Sequence, residues 1–396
     1  MKPLTSDLQL KRLRLSGFKS IELCDLELGG LNVIIGANGA GKSNLLAFFS
    51  MVQAMMTGKF QSYVSRNGGA DALLHYGSKN TKFIELSLDF NGRFYDAWLA
   101  PSLNNSLTYA DVNSFNKVSF FKDSYPVNER FSQKNILFPL VATGGLESNA
   151  INLIDDYYWR EKDVNIENSY RVMVQSLINT MIHWRVYHFN DTSDSARLKK
   201  HSQVNDNIYF RTDGENLAAF LYLLKRIYKK SYLQIVETIK LVAPFFHDFH
   251  LRPEPLNEEI IQLEWLENGQ NKPFKTFQLS DGTLRFICLA TALLQPEEYL
   301  PQTIIIDEPE LGLNPYSIGI LAGLIKVVSK SRQIIITTQS VELLNEFDFE
   351  DIVVVDRIGG KSIIKRPDEK EFEFWLKNYS LGELWLKNVF GGRSAL

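Results

Sequence analysis

The sequence predicts an α/β fold, a mostly parallel sheet flanked by helices, with a lobe of mixed strands and helices set into it. Three observations carry that prediction. Continuous apolar runs at Leu31–Ile35, 303–306 and 333–337 have the length and composition of strands buried on both faces of a parallel sheet. A glycine-rich turn leaves the first run and enters a helix. Strand and helix alternate near both ends of the chain, whereas residues 101–270 turn rich in Asn, Ser, Tyr and Phe.

The elements follow in order. Residues 10–15 and 21–28 read as strands, with Leu31–Ile35 the third. Residues 44–57 are helical by the apolar spacing of Leu45, Leu46, Phe49 and Val52, and Gly58 is the stop. Residues 83–90 and 93–99 flank Asn91-Gly92, a hairpin signal. Helical patterns cover 168–183 and 215–242. A second hairpin is expected from 260–266 and 274–277 around Asn268-Gly269. The strand at 303–306, a helix over Pro315–Ser329, the strand at 333–337 and another at 352–355 restore the alternation, and amphipathic helices close the chain. There is no internal repeat and no low-complexity segment.

Composition narrows the class. With 396 residues, 45% of them apolar and 22% charged, the chain has material for two or three domains with a buried core, which excludes a disordered tail, a collagen-like chain and a disulfide scaffold. Forty-three basic against 46 acidic residues leave a net charge of −3, so any nucleic-acid contact must come from a local patch. Cys24 and Cys288 stand alone, which argues against a zinc site and for a reducing compartment. The first seven residues include an acid and lack an apolar core, so no signal peptide is read. No stretch reaches about 18 uncharged apolar residues. A cytoplasmic protein with no membrane partner is expected.

Gly36-Ala37-Asn38-Gly39-Ala40-Gly41-Lys42-Ser43 fits G-x-x-x-x-G-K-[ST] directly after a buried strand and directly before a helix, the context the motif needs. Glycines let successive backbone N–H groups turn inward around phosphate oxygens, and the helix N-terminus adds partial positive charge. Lys42 would reach the β- and γ-phosphates of ATP, and the Ser43 hydroxyl would ligand Mg²⁺. The bland alternative is a glycine-rich turn with a surface lysine.

A second apolar strand ends at Asp307, followed by Glu308 and Pro309. This puts a carboxylate at the carboxyl end of the sheet, where such sheets bind ligands. Asp307 would hold the metal, through water, and Glu308 would orient or deprotonate the attacking water. Between the two motifs, Leu279-Ser280-Asp281-Gly282-Thr283-Leu284-Arg285 leads into a helix, with Ser280 a good N-cap whose first turn can receive an anion.

Together these residues resemble the ABC-type ATPases of the structural-maintenance (SMC), Rad50 and RecF class, and more closely the bacterial AAA-family, OLD-like predicted ATPases without a Toprim domain. Gly17-Phe18-Lys19-Ser20-Ile21 is similar to their N-terminal lobe motif and Gly36 to Asn44 to their Walker A. Ser280 to Arg285 resembles their signature, Ile304 to Glu308 their Walker B, and Leu311-Gly312-Leu313-Asn314-Pro315 their D-loop. The C-terminal Tyr379 to Trp385 and Gly391-Gly392-Arg393 are also matched in the relatives. The resemblance implies a P-loop NTPase core divided as residues 1–100 with Walker A, an insertion lobe at 101–270, and residues 271–396 with signature, Walker B, D-loop and switch. It implies a head-to-tail homodimer in which Ser280 and Gly282 of one subunit face the ATP of the other. Two residues depart from the pattern. Asp281 stands where the signature has Gly, and Gln339 stands at the switch histidine, where it can hydrogen-bond but cannot become cationic. No glutamine is assigned to the Q-loop: Gln53 falls on the first helix and Gln61 in a loop.

Lys42 and Asp307 are 265 positions apart. No run there sustains a/d heptads, so a compact lobe is expected in place of a long coiled coil. Arg197, Lys199, Lys200 and His201, then Lys225, Arg226, Lys229 and Lys230 with Tyr228 and Tyr232, offer a cationic groove for nucleic acid. The plainer reading is a loop charge run and the solvated face of a helix whose other face bears Leu223, Leu224 and Ile227. His183, His188, His247 and His250 lack metal-ligand spacing and read as core or surface histidines. The 57 residues after Gln339 are too few for a Toprim nuclease domain, so any governed nuclease is expected to be a separate effector.

The leading functional expectation is a Mg²⁺-dependent ATPase acting as a nucleotide-gated dimer, in DNA maintenance or antiphage defence. The alternatives are a scaffold that holds ATP and barely hydrolyses it, and the nucleotide-binding subunit of a membrane transporter. The insertion and Asp281 count against the last.

Overall fold

The computed structural model describes residues 8–109, 138–139 and 167–392. The remainder of the expected insertion lobe, and Arg393, lie outside the described residues. The chain forms two compact units, one built from Arg185–Phe349 with Tyr379–Glu383, the other from the segments on either side.

In the unit that carries the glycine loop, an antiparallel sheet runs in the order Ile21–Glu27, Arg12–Phe18, Ile84–Asp89, Phe94–Pro101, Leu107–Tyr109, with Phe138–Pro139 parallel beside Phe94–Pro101. From Leu23 onward the strand alternates, Cys24 and Leu26 inward and Leu23, Asp25 and Glu27 outward, the pattern of a half-buried strand. The all-buried Leu31–Ile35 strand pairs in parallel with Ile352–Ile358, which turns back into Lys361–Lys365. Helix Lys42–Met56 begins two residues before the sequence-based start. It buries Leu45, Leu46, Phe48, Phe49, Met51, Val52, Met55 and Met56. Phe49 and Phe90 pack on Trp184 with ring centroids 5.2 and 6.2 Å away, and Trp184 is fully buried.

In the other unit three strands run parallel. Thr303–Asp307 lies between Gln333–Thr338 and Arg185–Tyr187, with Ile306 opposite Ile336 on one side and Tyr187 on the other. Helices Asp281–Leu294 and Pro315–Ser329 pack together, the latter started by Pro315 and capped by Asn314. Two small antiparallel sheets complete the unit, Phe246–Phe249 with Glu264–Glu267 and Phe274–Lys275, and Pro253–Glu254 with Asn257–Ile261 and Ser202–Gln203.

Several expectations need correction. The helix expected over 215–242 is two helices, Leu217–Ile227 and Lys229–Val242, because Tyr228 leaves helical dihedrals and sets its ring edge-on to Tyr299, centroids 5.5 Å apart. Ile227, next to that break, is exposed. Residues 260–266 are not one strand, since Ile261 ends one sheet and Glu264 begins another. Gln61 lies on the short helix Phe60–Arg66 and donates from Nε2 to the Leu107 carbonyl at 2.7 Å.

Among the described residues the longest helix is Glu167–Ile182, with 16 residues, so no long coiled coil is present there. No described helix is long and apolar enough to cross a membrane.

Trp184→Ala would leave a large void between Phe49 and Phe90. It is expected to cost about 3–5 kcal/mol of stability, read as a lowered midpoint in urea denaturation.

Candidate functional site

The glycine loop has the backbone its sequence calls for. Gly41 is at φ 121°, and a Cβ there would lie 2.0 Å from Ser362 Oγ, so only glycine fits. Lys42 is 5% exposed, and its ammonium donates to the Gly36 carbonyl at 2.6 Å and the Ala37 carbonyl at 3.3 Å. Asn38, Gly39 and Ser43 face solvent. The loop is braced from three sides of its own unit. Asn44 Nδ2 donates to Ser20 Oγ (2.6 Å), Ser20 Oγ lies 2.7 Å from Ser362 Oγ, and Ser362 Oγ donates to the Ala40 carbonyl (2.5 Å). Arg357 donates to the Gly39 carbonyl at 2.8 Å, and the Ala37 N–H donates to the Gly392 carbonyl at 2.7 Å. The N-terminal lobe motif thus reaches the loop through Ser20. Beside it opens a cavity of about 680 Å³ lined by Lys19, Ser20, Asn44, Tyr76 and Arg357 among others.

In the other unit the structure gathers Asp307, Glu308 and Gln339. Asp307 ends its strand, and its two oxygens meet different partners: Thr337 Oγ1 donates to Oδ1 at 2.5 Å, and His188 Nδ1 lies 3.3 Å from Oδ2. Glu308 sits at φ 44°, a strained value for a side-chain-bearing residue, while its N–H donates to the Thr337 carbonyl at 3.0 Å. Gln339 Nε2 donates to Glu308 Oε1. A third acid, Glu310, is buried. Its Oε1 accepts from Thr338 Oγ1 at 2.6 Å and from the Gln339 N–H at 3.2 Å, and its Oε2 has no hydrogen-bond partner among the described residues. Burial pushes the Glu310 carboxyl up, against the pull of its hydrogen bonds.

Ser280 caps its helix, accepting from the Thr283 N–H at 3.2 Å. Gly282 is needed for a close approach, since a Cβ would lie 2.1 Å from the Gly312 carbonyl oxygen, so the start of the Asp281–Leu294 helix rests on the backbone at Gly312. Arg285 ties the same parts together, donating to the carbonyls of Leu311 (3.2 Å), Phe189 (3.2 Å) and Asn190 (2.9 Å). Asp281 Oδ1 lies 3.4 Å from Lys199 Nζ.

The basic clusters are largely spoken for. Arg197 pairs with Glu215, His201 with Glu254 and Lys225 with Asp248, and Tyr232 is buried with its hydroxyl donating to Asp248. Lys200, Lys229 and Lys230 are exposed. His183, His247 and His250 are at or near the surface, whereas His188 belongs beside Asp307. Sequence reasoning also missed Arg357, Ser362 and Glu310. Only Glu310 carried a local signal, an acid held between Pro309 and Leu311 after a buried strand.

Among the described residues no three His, Cys, Asp or Glu are gathered to hold a metal by themselves. Asp307, a strand-end carboxylate with one oxygen already oriented by Thr337, fits the cation that accompanies a nucleotide, which keeps waters and phosphate oxygens as its other ligands.

Glu310 makes a pH prediction. The native chain holds this proton to higher pH than the unfolded chain, so stability falls as pH rises above the ordinary value of 4.5. Glu310→Gln lacks that titration. Its stability relative to wild type is expected to increase as pH rises from 4.5 toward neutrality, measured by urea denaturation at several pH values.

Comparison with known proteins matches this architecture. The crystal structure of an Smc head bound to the C-winged-helix domain of ScpA aligns with a TM-score of 0.57 at 16% identity, covering 92% of this chain and 99% of that one. An Smc head domain with an extended coiled coil, bound to the C-terminal domain of ScpA derived from Pyrococcus furiosus, aligns with a TM-score of 0.53 at 14% identity, covering 93% and 98%. The fold is therefore a mixed α/β P-loop NTPase of the SMC-head type. No curated protein matches the sequence. The family described as "AAA domain, putative AbiEii toxin, Type IV TA system" matches residues 31–345, most of the chain, and the chain belongs to that family.

Proposed function

We propose that the chain is an ATPase of OLD-like type whose nucleotide state opens and closes a head-to-tail homodimer, acting with a separate effector protein in defence or DNA maintenance. The observation that carries the reading is Lys42, an ammonium withdrawn from solvent onto two carbonyls of its own glycine loop. Phosphate oxygens are better partners for that charge than neutral carbonyls, so triphosphate would draw it out. Gly36, Asn38, Gly39, Gly41 and Asn44 supply the cradle, and the cavity beside Tyr76 is large enough for the nucleoside.

Ser43 and Asp307 are the residues that would hold Mg²⁺, which when bound supplies charge neutralisation to the phosphates. Glu308 would take the proton of the attacking water. The Gln339 amide, already donating to Glu308, would orient that carboxylate and the water without adding charge. Ser280 and Gly282 would meet the partner's ATP, and loss of the γ-phosphate would remove contacts from both subunits. The family description names a toxin and a type IV system, which supports a defence role; the Smc heads carry bound ScpA, which supports a protein partner. The ion pairs in the basic clusters favour protein over nucleic acid as what meets the insertion. A second reading, an ATP-holding scaffold, is favoured by Gln339 at the switch and Asp281 in the signature.

Lys42→Ala is expected to abolish ATP binding in calorimetry. Glu308→Gln is expected to bind ATP, lose phosphate release and accumulate as a dimer in light scattering. A Glu308→Gln protein that stays monomeric with saturating ATP defeats the dimer, and equal near-zero phosphate release by wild type and variant favours the scaffold.

A further inference from the structure

We infer that Glu310 is a positioning residue of the hydrolytic site: one oxygen of its carboxyl group holds residues 338 and 339 so that the Gln339 amide is delivered to Glu308. The inference rests on the ATPase reading above and deepens it. Every residue it uses lies in one compact unit.

The sheet itself creates the need for such a residue. The parallel pairing of Thr303–Asp307 with Gln333–Thr338 ends at Asp307 and Thr337. One more backbone bond, from the Glu308 N–H to the Thr337 carbonyl at 3.0 Å, closes the ladder, and beyond it the two chains part. Glu308 turns through φ 44°, Pro309 follows, and the Leu311 and Leu313 N–H groups donate back to the carbonyls of Glu308 and Glu310 at 3.2 and 3.0 Å. The Gln339 N–H therefore meets a side chain in place of a strand carbonyl. Glu310 Oε1 accepts it at 3.2 Å and accepts the Thr338 hydroxyl at 2.6 Å. At its other end Gln339 donates from Nε2 to Glu308 Oε1. Gln339 is thus held between two acids, one at its backbone and one at its amide, and among the described residues these are the only groups to which it donates.

Burial separates this role from plain packing. Glu310 is 8% exposed, its Oε2 has no hydrogen-bond partner among the described residues, and burial raises its carboxyl above the usual 4.5. A buried polar atom left unpaired costs free energy. An apolar side chain of the same size would fill the space without that cost, and the one thing it would lack is the acceptor at Oε1. The amide that Glu310 anchors is the one that touches the proposed base. A shift of about 1 Å in such a group costs a reaction roughly 100-fold.

The test measures phosphate release by the full chain with ATP and Mg²⁺. Glu310→Met keeps the volume and removes the acceptor, whereas Glu310→Gln keeps both. Glu310→Met is expected to lower kcat about 100-fold with KM within about twofold of wild type, and Glu310→Gln to rescue kcat to within about threefold. Gln339→Ala is expected to fall as far as Glu310→Met. Combining the two is expected to lower kcat by no more than about a further twofold, because both remove the same device; a Glu310 that only packs would give losses that multiply. Thermal midpoints are recorded for each variant. Should Glu310→Met fail to fold, Glu310→Asp, its carboxyl drawn back by one methylene, takes its place with the same expected losses. Wild-type kcat in the acceptor-removing variant, multiplying losses in the double variant, or no rescue by Glu310→Gln overturns the inference and leaves the ATPase reading standing. A wild type that binds ATP and releases no phosphate overturns both.

Discussion

Three carboxylates at positions 307, 308 and 310 cannot share so small a space unless each is given its own partner, and the strand end at 337–339 provides them. Thr337 serves Asp307, Thr338 serves Glu310, and Gln339 serves Glu308. The pleat makes this division possible. Alternate residues of a strand point to opposite faces, so Thr337 and Gln339 reach one side and Thr338 the other. Asp307 and Glu308 are thereby kept partly exposed, while Glu310 goes to the interior and is pushed toward its neutral form by burial. Glu310 is thereby set apart, and Asp307 and Glu308 remain where solvent reaches them.

The glycine loop answers the opposite problem, a buried cation. An ammonium withdrawn from water is costly unless oxygens surround it, and Lys42 takes the two nearest carbonyls. Those bonds hold the loop's start closed on its own lysine, while the relay from Asn44 through Ser20 and Ser362 to Ala40, with Arg357 on Gly39, holds its far side. The loop is shaped by the protein before any phosphate arrives, so a ligand need not supply that ordering energy. Arg357 also places a permanent positive charge against the loop, which favours an anionic occupant for the same reason as the helix N-terminus.

What was legible in the sequence was what is contiguous. The strand, glycine loop and helix from Leu31 to Met56 lie in one stretch, and so do the apolar run ending at Asp307 and the capped helix after Ser280; their local patterns gave the elements. His188 reads as a core or surface histidine and is exposed, but its contact with Asp307 was hidden for a physical reason. Its partner is 119 positions away, and only the parallel register of the two strands brings them together. Spacing rules see neighbours in the chain and are blind to such a pair. Ser362 and Arg357 were illegible for the same reason, as they act on a loop more than 300 residues earlier. The helix break at Tyr228 was hidden because the apolar period continues across it. An aromatic contact with Tyr299 decides the backbone there, against local propensity.

The same logic bears on Asp281, the residue most at odds with the family pattern. In the dimer proposed above, the first turn of Asp281–Leu294 would face a phosphate, and an acid there is good for the helix but bad for the ligand. Lys199 lies 3.4 Å from it, with Asp194 more distant at 4.0 Å and fully solvated. The pair joins a Lys199 side chain only 10% exposed to an Asp281 side chain 59% exposed. Its consequence is local charge. With Asp281 matched by Lys199, the helix end keeps its partial positive charge of roughly half a unit, which is what an anion meets in a turn with glycine at that position. The acid at 281 is thus offset by a lysine 82 residues earlier in the chain, and in the proposed dimer a phosphate need not be repelled by it.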